Sequence, residues 1–206
     1  LTNLIKNNKN TDLYDYGEGY FYQSLNRINL SGLRDKRYRV DILNLKEITK
    51  NKIILDIGCN SGFVLHEMQN NFNKAVGIDY NKQLIDVADA VKEYFKIDNM
   101  EFICDDFLKC ENLNNKKFDI IFSLANHSTY DNGINDTKSY FLKVFDLLEK
   151  NGILIFESHH PQYENDEKFN EIKKNLLTMY TLVKEGTYLN KNFYDKNRRF
   201  LLLKKN

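Results

Sequence analysis

The eleven residues from Ile53 to Phe63, Ile-Ile-Leu-Asp-Ile-Gly-Cys-Asn-Ser-Gly-Phe, constrain this chain more than any other stretch. Ile53 to Ile57 is a short apolar run interrupted only by Asp56, the pattern of a strand buried on both faces of a parallel sheet. Gly58 and Gly62 bracket a tight turn, and Phe63 to Gln69 continues with helical character. A strand, a glycine turn and a helix in that order bring bare backbone up to a polar or anionic ligand. Gly58 has no Cβ to hold the ligand off, and it accepts positive φ. Asn60 stands where a middle glycine is often found, and Asn is among the non-glycine residues that enter the left-handed region most easily.

An acidic residue completes the pattern. Asn73 to Asp79, Asn-Lys-Ala-Val-Gly-Ile-Asp, reads as a second strand whose last residue falls 21 positions after Gly58. That spacing suits a carboxylate that bonds ribose hydroxyls. A dinucleotide-binding motif would place a third glycine at 63, where this chain has Phe63, and Asp56 two residues before the first glycine is also atypical of it. The Asp-x-Gly-x-x-x-Gly form, with Asp79 after it, resembles the first motif of the class I S-adenosylmethionine-dependent methyltransferases. The resemblance covers residues 50 to 206. It implies an α/β fold with a doubly wound, mostly parallel seven-stranded sheet, an antiparallel strand near the C-terminus, and S-adenosylmethionine as cofactor. It also implies cofactor contacts from Asp56, Gly58, Cys59, Asn60, Gly62, Phe63, Asp79, Tyr80 and Leu124.

The 206 residues suit one domain with a sizeable core, taken as a cap segment over 1–50 and a core over 51–206. Lys and Arg number 30 and Asp and Glu 29, so no global field favours nucleic acid. Three cysteines, Cys59, Cys104 and Cys110, are an odd number without metal-ligand spacing, which fits a reducing compartment. No apolar run approaches the ~20 residues of a membrane span, and no signal peptide opens the chain. These features together predict a cytoplasmic protein.

Further along, Tyr14, Tyr16, Tyr20, Phe21 and Tyr22 crowd around Gly17 and Gly19, helix periodicity runs from Gln23 to Leu30, and Arg34, Lys36, Arg37 and Arg39 follow. Residues 1–50 therefore read as a helical cap over the ligand edge of the sheet. Tyr20 and Tyr22 are candidates to meet the substrate, or else pack the cap onto the core. Leu84 to Phe95 has the period of a helix with one buried face. Asn99 to Cys104 reads as the third strand and ends in Asp105-Asp106-Phe107. In the family an acid here accepts the adenine amine and the next residue packs on the ring. Asp106 with Phe107 matches that pattern, and Asp105 is the alternative.

Lys117 to Leu124 reads as the fourth strand, Thr137 to Lys150 as a helix closed by Asn151-Gly152, and Ile153 to Glu157 as the fifth strand. Glu164 to Asn175 reads as a polar helix, and Leu176 to Lys184 and Phe200 to Lys204 as a final reversed pair of strands. Ligands in open α/β sheets sit beyond the carboxyl ends of the strands, so the loop Ala125 to Asp131 is expected to face the methyl group.

A sulfonium is already a strong electrophile, so the protein must mainly align an acceptor behind the methyl group. A hydroxyl acceptor gains from a base, and imidazole titrates in the right range. His127 is the first candidate, with His159 and His160 competing. Tyr130, Asp131 and Glu157 could orient an imidazole or bind substrate. His66, on the helix after the turn, reads as structural. A metal held by Glu157, His159 and His160 is disfavoured because adjacent residues on a strand end point apart, so none is expected. The acceptor is expected to be a small polar molecule such as a hydroxyl of a nucleotide-linked sugar for a surface glycan. The alternatives are an RNA methyltransferase, against which the balanced charge argues, and a non-catalytic partner that only binds the cofactor. The sequence leaves the oligomeric state open.

Overall fold

The structure is a computed structural model that describes residues 21–30, 32–34, 37–126, 137–159, 165–188 and 198–206. In chain order its first elements are β1 (Phe21–Gln23), β2 (Gly32–Arg34), α1 (Arg37–Ile42), α2 (Leu45–Ile48), β3 (Ile53–Ile57), α3 (Phe63–Glu67), β4 (Lys74–Asp79), α4 (Lys82–Tyr94) and β5 (Met100–Cys104). They are followed by β6 (Phe118–Leu124), α5 (Thr137–Leu147), β7 (Leu148–Glu157), α6 (Asp166–Leu176), β8 (Tyr180–Thr187) and β9 (Arg199–Lys205). Strands β3 to β9 form one seven-stranded sheet in the order β5-β4-β3-β6-β7-β9-β8. The pairs β4/β5, β3/β6 and β6/β7 are parallel, and β9 runs antiparallel to both β7 and β8. This is the expected doubly wound α/β architecture with its reversed strand near the C-terminus.

The chain divides into two compact units: Leu1–Asn51 with Cys59–Phe107, and Lys52–Gly58 with Leu108–Asn206. In the first unit, Asn81 caps α4 by accepting the N–H groups of Gln83 and Leu84 at 3.0 and 3.4 Å, as a side-chain oxygen at an N-cap should. The buried stripe of α4, which includes Val87 and Val91, packs with Phe63 and Leu25. Helices α1 and α2 supply the helical part of the N-terminal segment. Ahead of them lies a correction to the expected helix over Gln23 to Leu30. Strands β1 and β2 pair in parallel, Phe21 beside Gly32 and Gln23 beside Arg34. Between them a 3-10 turn at Asn26–Ile28 is closed by mutual N–H to carbonyl bonds of Leu25 and Leu30. Leu25 is wholly buried against Phe63, Val87 and Val91. A long-range apolar contact has overridden an eight-residue local period, too short for a helix to stand alone.

In the second unit the parallel strands are apolar and buried: Ile54, Leu55, Ile120, Ile121, Phe122, Leu154, Ile155 and Phe156 are at most 2% exposed. Burial on both faces is what their near-continuous apolar sequence dictates. Phe141 of α5 meets Phe156 edge-on at 5.7 Å, and Phe156 stacks on Phe169 of α6 at 6.3 Å, so both helices pack on the face of the sheet that Phe156 presents. Helix α5 stops at Leu147, three residues before the expected Lys150. Lys205 of β9 donates to the carbonyls of Phe145 and Leu148 at 2.6 and 2.8 Å, and a cation on the last carbonyls of a helix both caps it and opposes its dipole. β7 begins directly at Leu148, which pairs with Phe118. The reversed pair is also displaced: β8 starts at Tyr180, because Leu176 is the fully buried last residue of α6 and residues 177–179 turn.

Candidate functional site

The candidate residues lie at the glycine turn and at the strand ends, some in each unit. In the first unit, Cys59 donates its N–H to Ile78 O at 3.1 Å, and Gly62 closes the turn by donating to Cys59 O at 2.9 Å. Asn60 lies at φ +54°, the left-handed conformation expected for it. Its N–H donates to Asp79 Oδ2 at 3.0 Å, and its side-chain oxygen accepts the Ser61 N–H at 2.8 Å. The Asn81 N–H donates to Asp79 Oδ1 at 3.0 Å. Gly62 has φ +67°, and a Cβ there would lie 2.5 Å from the Phe102 ring, so only glycine lets α3 start so close to β5.

Asp79 ends β4 half-buried. Burial raises its carboxyl above the usual carboxylate range, against the backbone N–H groups of Asn81, Asn60 and Tyr80, which lower it. The carboxylate keeps lone-pair capacity beyond the backbone N–H groups it accepts. Tyr80, the next residue, is 44% exposed. At the end of β5, which pairs with the end of β4 at Asp79 and Cys104, Asp105 and Asp106 are both half-buried. Asp105 turns one oxygen onto the Asp106 N–H at 2.7 Å.

In the second unit β3 is anchored at its start, where the Ile53 N–H donates to Asp119 Oδ2 at 2.8 Å, and it runs into Gly58 at φ +67°. Gly58 is exposed between buried Ile57 and Cys59. Asp56 is 3% exposed within β3 and is not without a partner. Asn126, just after β6, donates from Nδ2 to Ile57 O. Its Oδ1 accepts from Ser123 Oγ at 2.9 Å and from Tyr140 OH at 3.2 Å. Burial pushes the Tyr140 hydroxyl far above its ordinary value, with the bonds to Ser123 and Asn126 acting against that rise, so it serves as a neutral donor. Asn126, Ser123 and Tyr140 were not singled out from the sequence. The parallel register of Ile57 with Ser123 is what brings them under the turn.

The other residues expected to make contacts are placed as follows. Phe63 is fully buried in the core cluster of α4, which leaves only its backbone beside the turn. Phe107, expected to pack on an adenine ring, is 1% exposed, so its faces are covered by protein. Glu157, expected to meet substrate, is fully buried at the end of β7. Arg198 donates to its Oε1 at 3.1 Å and Tyr188 OH donates to its Oε2 at 3.1 Å, so it anchors the strand end. Leu124 is 9% and Cys59 3% exposed. His159 is buried just beyond β7, and His66 is buried with Nε2 3.0 Å from Ala88 O. Tyr22 lies on β1. Tyr20, His127, Tyr130, Asp131 and His160 fall outside the described residues. Among the described residues no group of three or more His, Cys, Asp or Glu could hold a metal ion, and no helix is long and apolar enough to cross a membrane.

A family model described as "Methyltransferase domain" matches residues 48–198. The chain is 29% identical over 153 residues to the malonyl-[acyl-carrier protein] O-methyltransferase of Bacillus anthracis, covering 70% of this chain and 50% of that protein. It is 35% identical over 110 residues to the ubiquinone biosynthesis O-methyltransferase of Pelagibacter ubique, covering 52% of this chain and 41% of that protein. The chain thus spans about half the length of the curated relatives it matches. Its fold is similar to that of the N-methyltransferase NodS from Bradyrhizobium japonicum in complex with S-adenosyl-L-homocysteine, with a TM-score of 0.68 at 15% identity over 87% of this chain and 90% of that one.

Proposed function

Because this chain belongs to the methyltransferase-domain family of class I S-adenosylmethionine-dependent enzymes, we propose that it transfers the methyl group of S-adenosylmethionine to an oxygen of a small polar acceptor, such as a hydroxyl of a nucleotide-linked sugar. The observation that carries the cofactor assignment is Asp79. Two backbone N–H groups fix its carboxylate at the end of β4, and lone-pair capacity remains for the two hydroxyls of a ribose. Within its own unit, the exposed backbone of Gly58, bare of Cβ, leaves room for a ligand to approach closely.

When bound, the sulfonium supplies an activated methyl group. The residues of the chain then have three tasks. Asp79 orients the nucleoside by its ribose. Asp106, with Asp105 as the alternative, accepts the adenine amine. A base takes the proton released as the acceptor oxygen is methylated, and His127 is the candidate. Oxygen as the accepting atom is supported by the names of the two curated relatives, both O-methyltransferases. A small acceptor is supported by the balanced charge of the chain, since nucleic-acid binding rests on clustered cations.

The test is a screen of small hydroxyl and carboxyl acceptors against cofactor carrying a labelled methyl, followed by single-turnover transfer with His127→Ala. The expected loss is ~100- to 10,000-fold in rate, the range for a general base, with cofactor affinity nearly intact. A His127→Ala rate close to that of the unmodified chain, with an unchanged pH profile, would remove His127 from the reaction. Label transferred only to RNA would overturn the choice of acceptor.

A further inference from the structure

We infer that Asn126 is a positioning residue for methyl transfer, holding the peptide plane at Gly58 through its amide. The inference rests on the reading of the glycine turn as the cofactor site. Its physical basis is the hydrogen-bond arrangement of one side chain. Nδ2 donates to the carbonyl of Ile57, and Oδ1 faces two hydroxyls, Ser123 Oγ at 2.9 Å and Tyr140 OH at 3.2 Å. Those hydroxyls also lie 2.9 Å from each other. Two protons serve three short contacts, so Oδ1 has a donor in every arrangement. The amide cannot be reversed without setting oxygen against the Ile57 carbonyl.

Ile57 O and the Gly58 N–H belong to one planar trans peptide, so they point in opposite directions. Holding the carbonyl toward Asn126 therefore holds the Gly58 N–H away from it. Gly58 is exposed while both its neighbours are buried, and it lies at φ +67°. The same Asn126 fills the space on the inner side of the turn: a Cβ on residue 58 would lie 2.9 Å from Asn126 Cβ and Nδ2. Asn126 thus sets both the direction of the Gly58 peptide and the requirement for glycine there. The chain reverses into this position at Ala125, at φ +59°. A non-glycine residue enters that region only at a steric cost, and the Ala125 N–H is held by Glu157 O at 3.1 Å. Glu157 is itself locked by Arg198 and Tyr188, so the buried ion pair supports the turn at one remove.

The experiment is calorimetric titration of S-adenosylhomocysteine into the unmodified chain and four variants, with thermal unfolding of each and the ¹H–¹⁵N resonance of Gly58. Asn126→Leu keeps the bulk and removes the donor. Asn126→Asp keeps the shape and both accepted hydroxyls and places oxygen against Ile57 O. Tyr140→Phe and Ser123→Ala each remove one hydroxyl and leave the donor to Ile57 in place. The expected result is a Kd raised about ten-fold or more by either Asn126 change, from a buried carbonyl left without its donor, together with a shifted Gly58 resonance. Tyr140→Phe and Ser123→Ala are expected to lower stability with a Kd within about three-fold of the unmodified chain, since Oδ1 keeps a donor. Either folded Asn126 variant binding with unchanged affinity would overturn the inference. So would a Tyr140→Phe variant that loses as much affinity as Asn126→Leu at equal loss of stability. If the unmodified chain itself binds no S-adenosylhomocysteine, the cofactor reading fails, and this inference with it.

Discussion

At Asp79 the carboxylate is held by backbone N–H groups and yet has its pKa raised by burial. Because the folded value lies above the ordinary one, the contribution of this group to stability is fully present below the usual carboxylate pKa and is lost as pH rises through the folded value. A ribose that donates hydroxyls to the carboxylate favours the ionised form. Cofactor affinity is therefore expected to rise with pH through the titration of Asp79, with proton release on binding at the acid end, and titrations in two buffers of different ionisation enthalpy read that release. Asp79→Asn should abolish the pH dependence. Asp79→Ala should weaken binding by about 1.5–3 kcal/mol, the range for a hydrogen bond to a charged group. At Gly58 the expectation is harsher. Gly58→Val combines a positive φ, about 1–2 kcal/mol for an L-residue, with atoms forced against Asn126, so calorimetry should detect no cofactor binding. At this scale the sequence was readable where chemistry is local. The glycines, Asn60 and the acid 21 residues on could be picked out because a turn and a strand end are short-range objects. Asn126 could not, since its partners at Ile57 and Tyr140 lie 69 and 14 positions away.

Among the elements, the ends of β7 and β9 are joined by charge. Glu157 and Arg198 are 41 residues apart in sequence, and their side chains are at most 8% exposed. Removing one partner of a buried pair leaves the other charge without compensation. Arg198→Met should therefore destabilise the fold by about 3–5 kcal/mol, read as a lower urea midpoint at unchanged slope. If the midpoint stays where it was, the ion pair does not anchor the strand end. Apolar runs and periodicity located β3 to β7 and α4 to within a few residues, because burial on both faces of a parallel strand, or along one stripe of a helix, is written directly into composition. The misread ends have long-range causes. Helix α5 stops short where a lysine 60 residues beyond Phe145 reaches the carbonyl of that residue in its last turn. The region from Gln23 to Leu30 is a turn because Leu25 is drawn into the core with Phe63.

For the whole molecule, strand order and the direction of β9 followed from the motif order together with the family resemblance. The acceptor did not, since small acceptors are recognised by loop side chains that differ freely on a common scaffold. The central claim is that the glycine turn and Asp79 form an S-adenosylmethionine site. The most direct measurement is calorimetric titration of the folded chain with S-adenosylhomocysteine, repeated with a nicotinamide dinucleotide and with the Asp79→Ala variant. The account predicts saturable binding of S-adenosylhomocysteine at one site per chain, markedly weaker with Asp79→Ala, and no binding of the dinucleotide. A folded chain that takes up the dinucleotide but not S-adenosylhomocysteine, or that binds S-adenosylhomocysteine equally well without the Asp79 carboxylate, would contradict it.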